Sequence, residues 1–117
     1  MQGSSSTVVQ AAVEIVDGVQ ADILRAARLS HLENWTPGEA VARRNQRVTK
    51  WIMQLKSARK ILREAVVAET RTKRRKLLVD AYAWTDEVIR APEASRFNEL
   101  FYLRREQILD NCRLACA

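Results

Sequence analysis

The sequence predicts an all-α fold: an antiparallel helical hairpin with two further C-terminal helices, four-helix-bundle-like. Three observations carry this. Apolar residues recur at three- and four-residue spacing, and the alternation expected of a half-buried strand is missing. Only 3 Gly and 2 Pro punctuate 117 residues. Finally, Thr36-Pro37-Gly38-Glu39 combines an N-cap, a proline at the first helical position and a glutamate three residues after the cap. That is a capping box with Pro at N1, and from it the chain runs to Arg90 without Gly or Pro. A chain of this length is expected to form one domain, 1–117, with a modest core.

Gly3-Ser4-Ser5-Ser6 predicts a flexible lead over residues 1–6. The first helix is expected over 7–31, with Val8, Val9, Ala12, Val16, Val19, Ile23, Ala26 and Ala27 on one face. Gly18 weakens it by roughly 1 kcal/mol relative to Ala without breaking it. The second helix is expected over 37–68, with Val41, Val48, Trp51, Ile52, Leu55, Leu62 and Val66 inward. Continuing it to Arg90 would make it too long for a domain of this size. Glu69-Thr70-Arg71-Thr72 supplies the break, since two threonines lower helix propensity and are able to recap. A third helix follows over 72–90, with Leu77, Leu78, Ala81, Tyr82, Val88 and Ile89 inward. Ala91-Pro92 ends it, because the residue before proline disfavours the helical region. The fourth helix, 92–116, places Phe97, Leu100, Phe101, Ile108, Leu109 and Cys112 inward.

The charge is lopsided. Residues 41–76 hold 13 Lys/Arg against 2 Glu, while the whole chain nets only +6. A positive field concentrated this way is the footprint of a polyanion-binding surface. The cations are 15 Arg and 5 Lys, and the planar, multi-donor guanidinium suits phosphate oxygens better than an ammonium does. On a wheel of 100° per residue, Arg43, Arg47, Lys50, Gln54 and Ser57 form one polar stripe. Lys56, Arg59, Lys60 and Arg63 form a second basic flank. Arg71-Thr72-Lys73-Arg74-Arg75-Lys76 is the densest basic run. It opposes the helix dipole at a helix start, so local stability does not explain it. Phosphate contact through Lys73, Arg74 and Arg75, nuclear import, and an incidental solvated surface all fit that run.

No catalytic, metal or cofactor site is expected. His31 is the only histidine, and Cys112 and Cys116 lack the second ligand pair that zinc requires. The carboxylates of Asp86, Glu87 and Glu106 show no acid/base pairing at sequence level, and there is no glycine-rich phosphate loop. Trp35, Trp51 and Trp84 are able to stack on bases, but Trp51 and Trp84 fit apolar faces, so core is expected of those two. Two cysteines without a disulfide framework point to a reducing compartment. Residues 1–7 lack a secretory signal, and no apolar run approaches the ~20 residues of a membrane span. A cytoplasmic or nuclear location, no membrane and no small-molecule substrate follow as expectations.

The hairpin resembles the small B2-type suppressors of RNA silencing from insect nodaviruses. The similarity runs over residues 7–70: an amphipathic helix including Val19-Gln20-Ala21-Asp22-Ile23, a short loop with a proline, then a long helix opening with Ala42-Arg43-Arg44 and continuing through Gln54-Leu55-Lys56-Ser57-Ala58-Arg59. What the resemblance implies is an antiparallel homodimer lying along one face of double-stranded RNA. It would touch phosphates and 2′-hydroxyls without reading sequence, with Arg43, Arg44, Lys56 and Arg59 as carried-over contacts. The chain departs from that family after Thr70, where residues 72–116 suggest two further helices of substantial length.

The function expected is therefore non-enzymatic, sequence-independent double-stranded RNA binding through a basic helix face. The alternative is a helical scaffold whose basic face meets an acidic protein. A DNA-binding regulator lacks a short recognition-helix arrangement to support it. A homodimer is expected, because the long 37–68 helix extends beyond what the first helix covers and leaves apolar residues such as Leu62 and Val66 for a second chain. The rival is a monomeric four-helix bundle in which the last two helices cover them.

Overall fold

A computed structural model describes the backbone of residues 3–30 and 34–117. It contains four helices: α1 (Gly3–Ser30), α2 (Pro37–Ala68), α3 (Thr72–Ile89) and α4 (Ala94–Cys116). Among the described residues there is no strand, and the fold is all-α. Each helix packs on the next, and α4 returns to pack on α1. The short connections make sequence neighbours antiparallel, as in an up-down-up-down bundle. No helix is long and apolar enough to cross a membrane among the described residues.

The helix ends follow local chemistry. α1 begins at Gly3, so Ser4–Ser6 belong to the helix rather than to a lead outside it. Its last described residue is Ser30, whose hydroxyl donates to the Ala27 carbonyl at 2.8 Å; His31 lies outside the described residues. At α2 the capping box forms in full. The Glu39 amide donates to Thr36 Oγ1 at 3.2 Å, and the Thr36 amide donates to Glu39 Oε2 at 3.4 Å. Thr36→Ala is expected to cost about 1 kcal/mol, read as a small fall in melting temperature with the helix content of the rest retained.

The α2–α3 break falls at residues 69–71, as expected, but neither threonine caps it. Arg71 occupies the N-cap position of α3 without a side-chain hydrogen bond, and the Thr70 amide is taken by the Glu69 carboxylate at 3.1 Å. The fourth helix starts at Ala94, two residues later than expected, with Glu93 in extended geometry at its N-cap.

One core runs through the bundle. Val9, Val16, Leu55, Leu62, Val88, Phe97, Phe101, Ile108 and Cys112 are all fully buried. Trp51 stacks on Phe97 at 6.0 Å between ring centroids, and Phe97 on Phe101 at 6.0 Å. Thr85 is buried on α3, where its hydroxyl satisfies itself on the Ala81 carbonyl at 2.8 Å. Polar ties between helices include Asn111 Nδ2 to the Leu77 carbonyl (3.1 Å) and Arg104 to Glu87 (2.9 Å), both joining α4 to α3. Arg113 and Asp17, 3.8 Å apart, link α4 to α1.

Two expectations about α2 change. Leu62 is 0% exposed within one chain and Val66 is half-buried against the core, so the apolar reason for recruiting a second chain there is met internally. Val41 is 47% exposed rather than inward. Its exposure follows from length. α2 has 32 residues, roughly 48 Å, whereas α3 has 18 and α4 has 23, roughly 27 and 35 Å. Residues 37–46 are all exposed, and the first buried side chain of α2 is Val48. The start of α2 and the end of α1 thus project past the four-helix core. The molecule measures 53 × 24 × 19 Å.

Candidate nucleic-acid interface

The basic residues of α2 divide between its two sides. On the side facing α3, Lys56, Arg59, Lys60 and Arg63 meet Tyr82, Asp86 and Arg90 around a cleft of about 430 Å³. Spacing explains the meeting. Residues 56, 59, 60 and 63 share one face of α2, and 82, 86 and 90 share one face of α3, at the three- and four-residue intervals that align side chains on a helix. Antiparallel packing across the three-residue break brings the two faces together. Arg75 and Val79 continue the α3 row toward its N-terminus, both exposed.

Five cations therefore surround one carboxylate. Asp86 accepts from Arg59 Nη1 at 2.7 Å and from Arg90 Nε at 2.8 Å. Partial burial works to raise its carboxyl, but the hydrogen bonds and charges of Arg59 and Arg90 outweigh that and hold it below the ordinary aspartate value. The clamp is complete at neutral pH and is lost only as pH falls through that lowered value, under the ordinary aspartate range. Arg59 is accordingly half-buried and paired, while Lys56, Lys60 and Arg63 are exposed. Asp86→Asn removes the one negative charge among the cleft's lining residues and releases two guanidiniums. It is expected to tighten polyanion binding about fivefold near 0.15 M salt, the worth of roughly one further phosphate contact, measured by fluorescence anisotropy with labelled duplex RNA.

The side facing α1 is different. The row Arg43, Arg47, Lys50, Gln54, Ser57 exists, but its later half is turned against α1. Lys50 lies 3.8 Å from Asp22 of α1. Gln54 and Ser57 line a groove with Ala11, Glu14, Ile15 and Gly18, and Gln54 Oε1 is buried without a partner. Carboxylates from α1 therefore offset the positive charge along this stretch.

At the projecting end the row changes character again. The guanidinium carbons of Arg43 and Arg47 lie 5.2 and 5.3 Å from the centre of the Trp35 ring. Arg44 and Arg47 also line a cavity of about 370 Å³ with Ile23, Trp51 and Asn98. This arrangement was not read from the sequence. The available signal was Trp35 one residue before the N-cap, with arginines on successive turns of the helix that follows.

The run at the start of α3 is also only partly available. Lys73 and Arg75 are exposed, Arg74 is half-buried and bonds the Ala117 carbonyl, and Lys76 lies 3.7 Å from Asp80. Neither cysteine is set up as a nucleophile. Burial, helped by the neighbouring Cys116 and only partly opposed by Arg113, pushes the Cys112 thiol up to about 12. Burial also raises Cys116, against a hydrogen bond to Ser6 and the charge of Arg74.

No protein-family model, curated protein or solved structure matches this chain. The functional reading accordingly rests on the geometry of the two basic surfaces.

Proposed function

We propose that this protein is a non-enzymatic binder of double-stranded RNA. It engages the sugar-phosphate backbone without reading sequence, through the α2–α3 cleft. The observation that carries this is the convergence of Lys56, Arg59, Lys60, Arg63 and Arg90 on a shallow cleft containing a single carboxylate. Such a surface meets phosphates by point charge and by guanidinium fork. Its helices are packed side by side, so none stands free to enter a B-DNA major groove about 8.5 Å deep. A-form RNA instead presents phosphates and 2′-hydroxyls across a wide, shallow minor groove. Tyr82, half-buried in the cleft, adds a phenolic hydroxyl to its lining, a group able to hydrogen-bond a 2′-hydroxyl. Occupation of the backbone in this way shields the duplex.

The test is a titration of four labelled probes by anisotropy: duplex RNA, the same sequence as duplex DNA, and each single strand. Duplex RNA is expected to bind tightest, and a scrambled duplex RNA to bind equally well. Equal affinity for duplex DNA would remove the assignment to RNA, and absence of binding to all four would remove the function.

A further inference from the structure

The two basic surfaces of α2 do not form one track. Arg43 and Arg47 are turned about 170° around the helix from the centre of the Lys56–Arg63 group, at 100° per residue. The two groups are also roughly 22 Å apart along the axis, from their mean positions and 1.5 Å per residue. Between them, on the α1 side, Lys50 is met by Asp22, and Gln54 and Ser57 share their groove with Glu14. A duplex seated in the cleft is therefore not carried on to the projecting end.

The projecting cluster has the properties of an anion site in its own right. Arg43 and Arg44 are exposed, Arg47 is half-buried, and among the described residues none of the three forms an ion pair. The Glu39 carboxylate, one turn before Arg43, bonds the Thr36 amide. Packing two guanidiniums against the Trp35 ring restricts their rotamers while leaving their N–H edges free to donate. Order of this kind lowers the entropy lost on binding.

We infer that one chain carries two phosphate-backbone sites, the α2–α3 cleft and the Trp35–Arg43–Arg44–Arg47 cluster, and that it bridges two RNA duplexes. This rests on the RNA-binding reading above. The separation exceeds the Debye length of about 8 Å at physiological salt, so the second duplex is largely screened from the first.

The experiment mixes two short blunt RNA duplexes, one carrying a donor dye and the other an acceptor, with the full chain. Energy transfer between them is expected to rise with protein, peak when duplex is in excess of chain, and fall once each duplex is separately saturated. Arg43→Gln with Arg47→Gln removes two phosphate contacts. That weakens the projecting surface roughly 30-fold near 0.15 M salt and abolishes transfer, while anisotropy still reports saturable binding of a single duplex. The combined Lys56→Gln, Lys60→Gln, Arg63→Gln variant is expected to lose transfer as well. Saturable binding of wild-type protein with no transfer would overturn bridging and leave the RNA reading standing. Transfer that survives loss of Arg43 and Arg47 would overturn it too, by placing the bridge elsewhere, including in paired chains. No binding to either duplex would overturn both readings together.

Discussion

Replacing Lys56, Lys60 and Arg63 together by glutamine is expected to weaken duplex RNA binding at the α2–α3 cleft about 100-fold at physiological salt. The loss is read in a chain that also carries Arg43→Gln and Arg47→Gln, so that the projecting cluster does not mask it. The size follows from counterion release. Each phosphate contact contributes roughly 0.9 log unit per log unit of salt, or about 0.7 log unit near 0.15 M. Three lost contacts therefore remove about two log units. All three side chains are exposed and none forms an ion pair among the described residues, so each change is expected to alter stability by no more than about 0.5 kcal/mol. A thermal melt alongside the binding titration separates the two effects. A variant that binds as that parent chain does while melting normally would show that the cleft is not the interface.

Trp51→Ala is expected to do the opposite, damaging the fold rather than the interface. Trp51 is 5% exposed and stacks on Phe97, which stacks in turn on Phe101. Truncating a buried aromatic of this kind costs about 3–5 kcal/mol, a large share of the roughly 5–15 kcal/mol that holds a domain folded. The melting temperature should fall by something on the order of 10–20 °C. Below that transition, affinity for a single duplex should stay near wild type, because the ring points away from the side of α2 that carries Lys56, Lys60 and Arg63. Unchanged thermal stability with lost binding would mean that the two faces of α2 are assigned the wrong way round.

The parts of this molecule that were legible in the sequence are those decided within a few residues. Thr36, Pro37 and Glu39 specify a helix start by local hydrogen bonding, and both bonds are present. The breaks near Thr70 and Pro92 are local too, set by helix propensity and proline sterics, although α4 starts at Ala94 rather than at residue 92 and neither threonine caps α3. What needed a neighbour was less legible. Val41 lies on the same periodic face as Val48, yet it is exposed, because it belongs to the first turns of a helix longer than α3 and α4. No pattern within α2 states how long its partners are. Arg59 sits on the basic flank, but its charge is shared with Asp86, 27 residues away in sequence. Gln54 and Ser57 sit on the same row as Arg43, but they border a groove against α1 beside Glu14, and Gln54 is half-buried there. The cleft combines two such rows, and Tyr82, Asp86 and Arg90 became part of it only once the pairing of α2 with α3 was known.

The most direct test of the cleft as an electrostatic RNA interface is the affinity for one short duplex RNA, measured across a tenfold range of monovalent salt. With five cations partly offset by Asp86, and Arg75 beside them, the logarithm of the association constant is expected to fall against the logarithm of salt with a slope near −4. The Lys56, Lys60, Arg63 variant is expected to flatten it by two to three units. A wild-type slope shallower than about −2, or one that the variant leaves unchanged, would contradict backbone binding by these side chains.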